Sequence, residues 1–212
     1  MPDKLIENIK RIREYTENNP ELKRSHHFTY DLPANDKPVE FVVMGINPGE
    51  PKWDWDHCQG PTEETRLFDF QEKFGRSPAS KRWYKKVDFY LSGRGAVMTE
   101  CFFWSSKDVD TLEELYGPLE NSTHIEFCKA MNDDILDRYK PRAIVFPGLR
   151  YYERVRQLYG IGEHVKTVPG SKGRLIEHYK YGATPWVFTK HWSGAWMEKG
   201  EPDQIRDYLA GL

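Results

Sequence analysis

Three polar side chains sit where short apolar runs end, and each is of a type that can do chemistry on a small ligand. Asn47 lies in Gly45-Ile46-Asn47-Pro48-Gly49, directly after the run Phe41 to Met44. Its amide is too weak a base to take a proton, so it would act by orienting a water or stabilising charge. His191 lies in Lys190-His191-Trp192-Ser193-Gly194, directly after the β-prone run Trp186 to Thr189. A neutral imidazole N–H there would stabilise an anion forming on a leaving group. Glu100 lies in Thr99-Glu100-Cys101, within a third such run, and when ionised it only accepts hydrogen bonds. Each has a plainer reading beside it. Asn47 caps its own turn, His191 is satisfied at a strand end, and Glu100 is held by a neighbouring Arg or Lys.

The elements that must position these groups are legible as patterns. Pro48 fixes its own φ and pushes Asn47 out of the helical region, while Gly45 and Gly49 let the backbone pass close to another group. Core strands are expected over 40–45, 96–103, 143–146 and 186–190, because each is a short apolar run between helical patterns. Helices are expected over 3–17, 62–74, 80–91, 112–115, 124–139, 150–158 and 203–209. The stretch 18–37 reads as loop, and an edge hairpin is expected within 164–182, where Pro169-Gly170 and Lys172-Gly173 supply the turn. Strands alternating with helices imply parallel pairing. The expected fold class is therefore α/β, a three-layer α/β/α sandwich on a mainly parallel four-stranded sheet, with residues 1–212 forming one domain. Ligands in such folds bind outside the carboxyl ends of the strands, which is where Asn47 and His191 stand.

The chain has 212 residues, enough for one large α/β domain. Its formal net charge of −2 argues against a globally basic DNA-coating protein, though a narrow basic track remains compatible. Cys58, Cys101 and Cys128 are odd in number and far apart, which points to a reducing compartment and away from a four-thiolate cluster. The pairs His26-His27 and His57-Cys58 are too sparse for a zinc site. No apolar run approaches a membrane span and the charged start, MPDKLIENIKRIREY, lacks a signal-peptide core, so a cytoplasmic protein is expected. Aromatic residues make up 14% of the chain, many beside basic ones as in Lys81-Arg82-Trp83-Tyr84-Lys85-Lys86. That mixture suits stacking on bases and contact with phosphates, and it equally suits a core and its rim.

Taken together, Gly45-Ile46-Asn47-Pro48-Gly49 and His191-Trp192-Ser193-Gly194 resemble the two active-site motifs of the uracil-DNA glycosylase superfamily. The first matches the form of the mismatch-specific thymine/uracil branch at all five residues. The second departs from the family's pattern in carrying Trp192 where the family has Pro. The resemblance implies a sheet of strand order 2-1-3-4 and a base-excision activity on DNA, cleaving the N-glycosidic bond of uracil or a related damaged base, with no cofactor or metal and with DNA as partner of a monomer.

The resemblance also implies roles by position. Asn47 would place the attacking water and His191 would stabilise the leaving base. Gly45, Ile46, Pro48 and Gly49 would line the pocket, and Ser193 would bind a phosphate. Trp55 is the first choice for the aromatic platform under the flipped base, with Trp53 and Phe68 as alternatives. Gly49 stands where the strictly uracil-specific branch carries a Tyr, which implies room for 5-substituted uracils. Glu100 stands where family members usually carry Asn and would read the base edge, accepting from N3–H of uracil or from an amino group. Ala195 is too small for the wedge that replaces the flipped base, leaving Trp196 or Met197. The alternative is a catalytically inactive nucleic-acid or nucleotide-binding module of the same fold, which Trp192, Glu100 and Ala195 favour. No G-x-S-x-G elbow or P-loop supports an unrelated hydrolase.

Overall fold

The computed structural model describes residues 2–25, 27–49, 62–64, 78–193 and 197–212. Among these it has six α-helices, α1 (Pro2–Asn18), α2 (Pro78–Tyr90), α3 (Val109–Tyr116), α4 (Thr123–Tyr139), α5 (Tyr152–Leu158) and α6 (Glu201–Ala210). Nine strands accompany them: β1 (His27–Thr29), β2 (Leu32–Pro33), β3 (Val39–Gly45), β4 (Thr62–Glu64), β5 (Gly95–Glu100), β6 (Ala143–Pro147), β7 (Glu163–Pro169), β8 (Arg174–Tyr181) and β9 (Thr184–Thr189).

The main sheet has seven strands in the order β2-β5-β3-β6-β9-β8-β7. Strands β5, β3, β6 and β9 are mutually parallel, whereas β2, β8 and β7 pair antiparallel. The four-stranded, mainly parallel sheet expected from the pattern is therefore corrected to a seven-stranded mixed one. The four apolar runs are its middle. What the pattern under-weighted is the hairpin β7–β8, which belongs to the same sheet, and the two-residue β2 at the other edge. Strand β7 is exposed along nearly its whole length, so no apolar alternation marks it.

Alternation along the parallel strands divides the interior in two. Val42 and Met44 of β3 face a cluster built with Ile9 and Ile12 of α1, Leu112 of α3, Met131 and Ile135 of α4 and Val155 of α5. Phe41 and Val43 face the opposite cluster, built with Tyr84, Val87 and Tyr90 of α2 and Ile205 and Leu209 of α6. Successive side chains of a strand point to opposite faces, so one strand feeds both cores. Helices thus cover both faces of the sheet.

Local signals place the helix ends. The Asp108 carboxylate accepts from the Thr111 amide at 2.9 Å to cap α3, and Gly117, at φ +79°, ends it. Ser122 caps α4 through the His124 amide at 3.2 Å, and Pro141 follows the left-handed Lys140 at its end. Two other expectations change. The stretch 18–37 carries a 3₁₀ turn at Pro20–Arg24 and the short strands β1 and β2. Residues 62–64, expected to begin a helix, instead pair as β4 in parallel with β1. The remainder of that expected helix, 65–74, lies outside the described residues.

Candidate active site

Strands β3 and β9 run in the same direction, so Asn47 and His191 both emerge at the carboxyl edge of the sheet. They do not emerge from neighbouring strands: β6 lies between. Two strand spacings, about 10 Å, therefore separate their starting points across the sheet edge.

Asn47 is held from both sides. After β3 the chain keeps pairing with the segment beyond β5: Cys101 N–H donates to Gly45 O at 2.8 Å, Phe102 N–H to Ile46 O at 2.9 Å, and Ser106 N–H to Pro48 O at 3.0 Å. The Asn47 side chain uses both of its amide hydrogens, to Pro48 O and to Ser106 Oγ, each at 2.9 Å. Ser106 Oγ in turn donates to Asp108 O at 2.7 Å, tying the turn to the start of α3. With Nδ2 committed, Oδ1 is the atom Asn47 offers to a ligand, and an amide oxygen accepts from water. Ile46 is half-buried against the α4-side cluster, Pro48 is buried and Gly49 is exposed.

His191 is likewise anchored by its two neighbours. On one side, the Lys190 ammonium is buried in an ion pair with Glu201, 3.0 and 2.8 Å from the two carboxylate oxygens. Glu201 also accepts from Ser171 N–H and Oγ and from Glu198 N–H. On the other side, Trp192 is 1% exposed and stacks on Tyr90, with ring centroids 4.6 Å apart, and lies 5.8 Å from Trp83. Trp192 is thus a core anchor beneath α2. His191 itself stacks on the outer face of Trp83 at 5.9 Å.

The protonation of His191 follows from its contacts. Nδ1 accepts from Ser193 N–H at 3.1 Å, which leaves the ring proton on Nε2. The packed surroundings and the Lys86 ammonium hold its pKa below the ordinary imidazole value, although the residue keeps solvent access. A neutral ring results, with an Nε2–H donor that no described residue accepts from. Ser193 is exposed, as are Arg82 and Lys85 of α2. Arg82, Lys85 and Lys86 form a short cationic run on the helix whose Trp83 stacks on His191.

Glu100 ends β5 opposite Gly45, its register partner. Its carboxyl lies so close to Gly45 that a Cβ there would stand 2.0 Å from Glu100 Oε2. Oε2 is sealed from solvent and has no hydrogen-bond partner among the described residues. The expectation of a neighbouring Arg or Lys is thus not met at that atom. Burial raises the carboxyl to about 8. Below it, Asn132 donates to Glu100 O at 2.9 Å and to Tyr159 OH at 3.0 Å, and accepts from Thr99 Oγ1 at 2.7 Å. That satisfied network fixes the strand end without reaching Oε2.

Trp53, Trp55, Phe68 and Trp196, expected as platform and wedge, lie outside the described residues, as does Cys58. Met197 is half-buried, and its sulfur accepts from Tyr90 OH at 3.7 Å. Cys101 and Cys128 are buried and free. Among the described residues no three His, Cys, Asp or Glu side chains gather as a metal-binding group, and no helix is long and apolar enough to cross a membrane. Ser106, Asn132, Trp83, Lys86 and the Lys190–Glu201 pair escaped the sequence reading. Of these, Trp83, Lys86 and Lys190 lay within stretches that drew attention there. No family model matches the chain, and no curated protein matches it.

Proposed function

We propose that this protein is a DNA base-excision enzyme of the uracil-DNA glycosylase type, hydrolysing the N-glycosidic bond of uracil or a related damaged base. The observation that carries the reading is the pairing of two preorganised groups at one sheet edge: Asn47, offering Oδ1, and His191, offering Nε2–H. The four parallel strands also stand, numbered along the chain among themselves, in the order 2-1-3-4 that the motifs imply, with helices on both faces as in an α/β/α sandwich.

In this reading the flipped base enters between the ends of β3 and β9. Asn47 Oδ1 accepts from a water and holds its oxygen towards the sugar carbon. As the bond from sugar carbon to base nitrogen breaks, its electron pair leaves with the base, and the positive charge on the sugar is captured by the water oxygen. The water then loses a proton to solvent. His191 Nε2–H meets the negative charge growing on a carbonyl oxygen of the leaving base. Ser193 and the strip Arg82, Lys85 and Lys86 supply contacts to backbone phosphates, which position without reading sequence. Trp192, packed beneath α2, supports the enzyme reading over a module whose pocket is plugged.

The test is single-turnover excision on DNA carrying uracil, a thymine mismatch, hypoxanthine or a 5-substituted uracil. Asn47→Ala should slow excision by at least about 10²-fold while leaving DNA affinity nearly intact, since it removes a group acting at the transition state. His191→Ala should act similarly. DNA affinity of all forms should weaken as salt rises. Wild-type protein that binds DNA yet excises none of the four bases establishes the binding-module alternative instead.

A further inference from the structure

Glu100 is the group at this edge whose arrangement the catalytic reading leaves unused. Its carboxyl occupies space that exists only because residue 45 has no side chain, with the Gly45 Cβ position 2.0 Å from Oε2 and 3.1 Å from Oε1. Oε2 is sealed and unpartnered among the described residues, while the residue as a whole keeps partial exposure. One carboxyl oxygen is thus buried in protein and the other is left for a ligand. Resting on the function proposed above, we propose that Glu100 presents an O–H to a ring carbonyl oxygen of the extruded base, so that the site selects oxo-bearing bases over amino-bearing ones.

The argument for a donor is an accounting of lone pairs and protons. A charge on a carboxylate with one oxygen sealed and no hydrogen-bond donor to that oxygen among the described residues is strongly disfavoured. Burial accordingly raises this carboxyl to about 8, so the group carries its proton at neutral pH. That proton has two places to go. On Oε2 it would be a buried donor without an acceptor. On Oε1 it leaves only a carbonyl-type acceptor unpaired, which proteins tolerate better. The reachable oxygen is therefore the O–H.

The surroundings agree. The titratable groups that act on this end of β5 are Cys101 next to it, Cys128 of α4 and Tyr159 beyond α5, and burial raises the pKa of all three. All stay neutral alongside Glu100. The departure from the family's usual Asn thus preserves the donor, exchanging an amide N–H for a carboxyl O–H that disappears at alkaline pH.

The experiment follows excision from uracil-bearing DNA by the wild type, E100Q and E100A from about pH 6 to about pH 10. The wild-type rate should fall through a midpoint near the carboxyl value. E100Q, whose amide donates at every pH, should stay within several-fold of wild type at neutral pH and lack that fall, which also controls for titration of the base. E100A should be slower by about 10²-fold with DNA affinity retained. E100Q as inactive as E100A would overturn the proposal in favour of an ionised, base-like role, and so would an E100A indistinguishable from wild type. Should the wild type excise no base, the enzyme reading fails, and the Glu100 inference is judged by free uracil and free cytosine titrated against carboxyl-¹³C-labelled protein. Uracil binding by wild type and E100Q, weakened in E100A and for cytosine, sustains it. Equal response to both bases, or none, overturns it.

Discussion

Gly45 and Gly49 flank one turn and make opposite demands on it. A methyl at Gly49 would meet none of the described residues within 4 Å, whereas one at Gly45 would strike the Glu100 carboxyl. Because the obstacle is the end of a side chain, Gly45→Ala should leave the fold intact and displace Glu100. Its excision profile should then copy that of Glu100→Ala, and the double variant should add nothing, a coupling that a mutant cycle reads directly. The same carboxyl carries a cost in stability. Its folded-state pKa of about 8 lies above the ordinary 4.5, so its contribution is best below about pH 4.5 and is lost as pH rises towards 8. Glu100→Gln should therefore raise the melting temperature at alkaline pH, by a gain on the order of a few kcal/mol, and change little near pH 4. His191 supplies a second pH test. Its imidazole should titrate below the ordinary 6.5 by NMR, with loss of the Ser193 amide contact as Nδ1 gains its proton.

At the scale of elements, the loop after β9 is pinned by two anchors of different kinds. Burial alone would raise the Glu201 carboxyl, but Lys190 and the Glu198 and Ser171 donors hold it down to about 2. Its stabilisation is present above about pH 4.5 and drains away as pH falls towards 2. Lys190→Met strands that carboxylate and should cost about 3–5 kcal/mol in denaturant titration, whereas wild type and Glu201→Gln should converge in strongly acidic buffer. Trp192→Ala opens the stack with Tyr90 and Trp83 and should cost a similar amount, about 3–5 kcal/mol. Because Trp83 also carries His191, this second loss should slow excision beyond any effect on folding, measured well below the melting temperature. How much of this the sequence discloses depends on the range of the forces. The runs 41–44, 143–146 and 186–189 are legible because burial on both faces makes a parallel strand uniformly apolar. The positions of Asn47 and His191 at strand ends follow from them. Lys190–Glu201 is not legible, because a lysine after a strand looks like a solvated end until its carboxylate arrives from the next helix. Trp192 reads as a damaged motif for the same reason: its partners lie on α2, a hundred residues earlier in the fold's construction.

For the molecule as a whole, the two edges of the sheet are what sequence patterns describe least well. Strand β2, at one edge, has two residues, and β1 and β4, of three residues each, form a separate two-stranded sheet; the pairing of all three is decided by neighbours far along the chain. Strand β7 is polar and exposed, as suits an edge that must not recruit another strand. Such edges leave the four parallel strands in the interior, where a charge introduced on β3 or β6 should abolish folding while one on β7 should be tolerated, as judged by soluble yield.

The position of β9 bears on the order in which this chain acquires its shape. It is the last strand along the sequence among the described residues, yet it is seated between β6 and β8. As a ribosome releases the chain, β7 and β8 can close early as a local hairpin, and β3, β5 and β6 can assemble by crossovers. Thr184–Thr189 follows β8 through a tight turn and pairs with it locally, so the two halves, each with an open hydrogen-bonding edge, join only when β9 docks against β6. Non-local closure of this kind is slow and leaves unpaired edges exposed meanwhile. His191 arrives with the strand that joins the halves. Completion of the sheet and assembly of the proposed site are thus one event: a nascent chain with a half-built sheet holds Asn47 without His191 beside it.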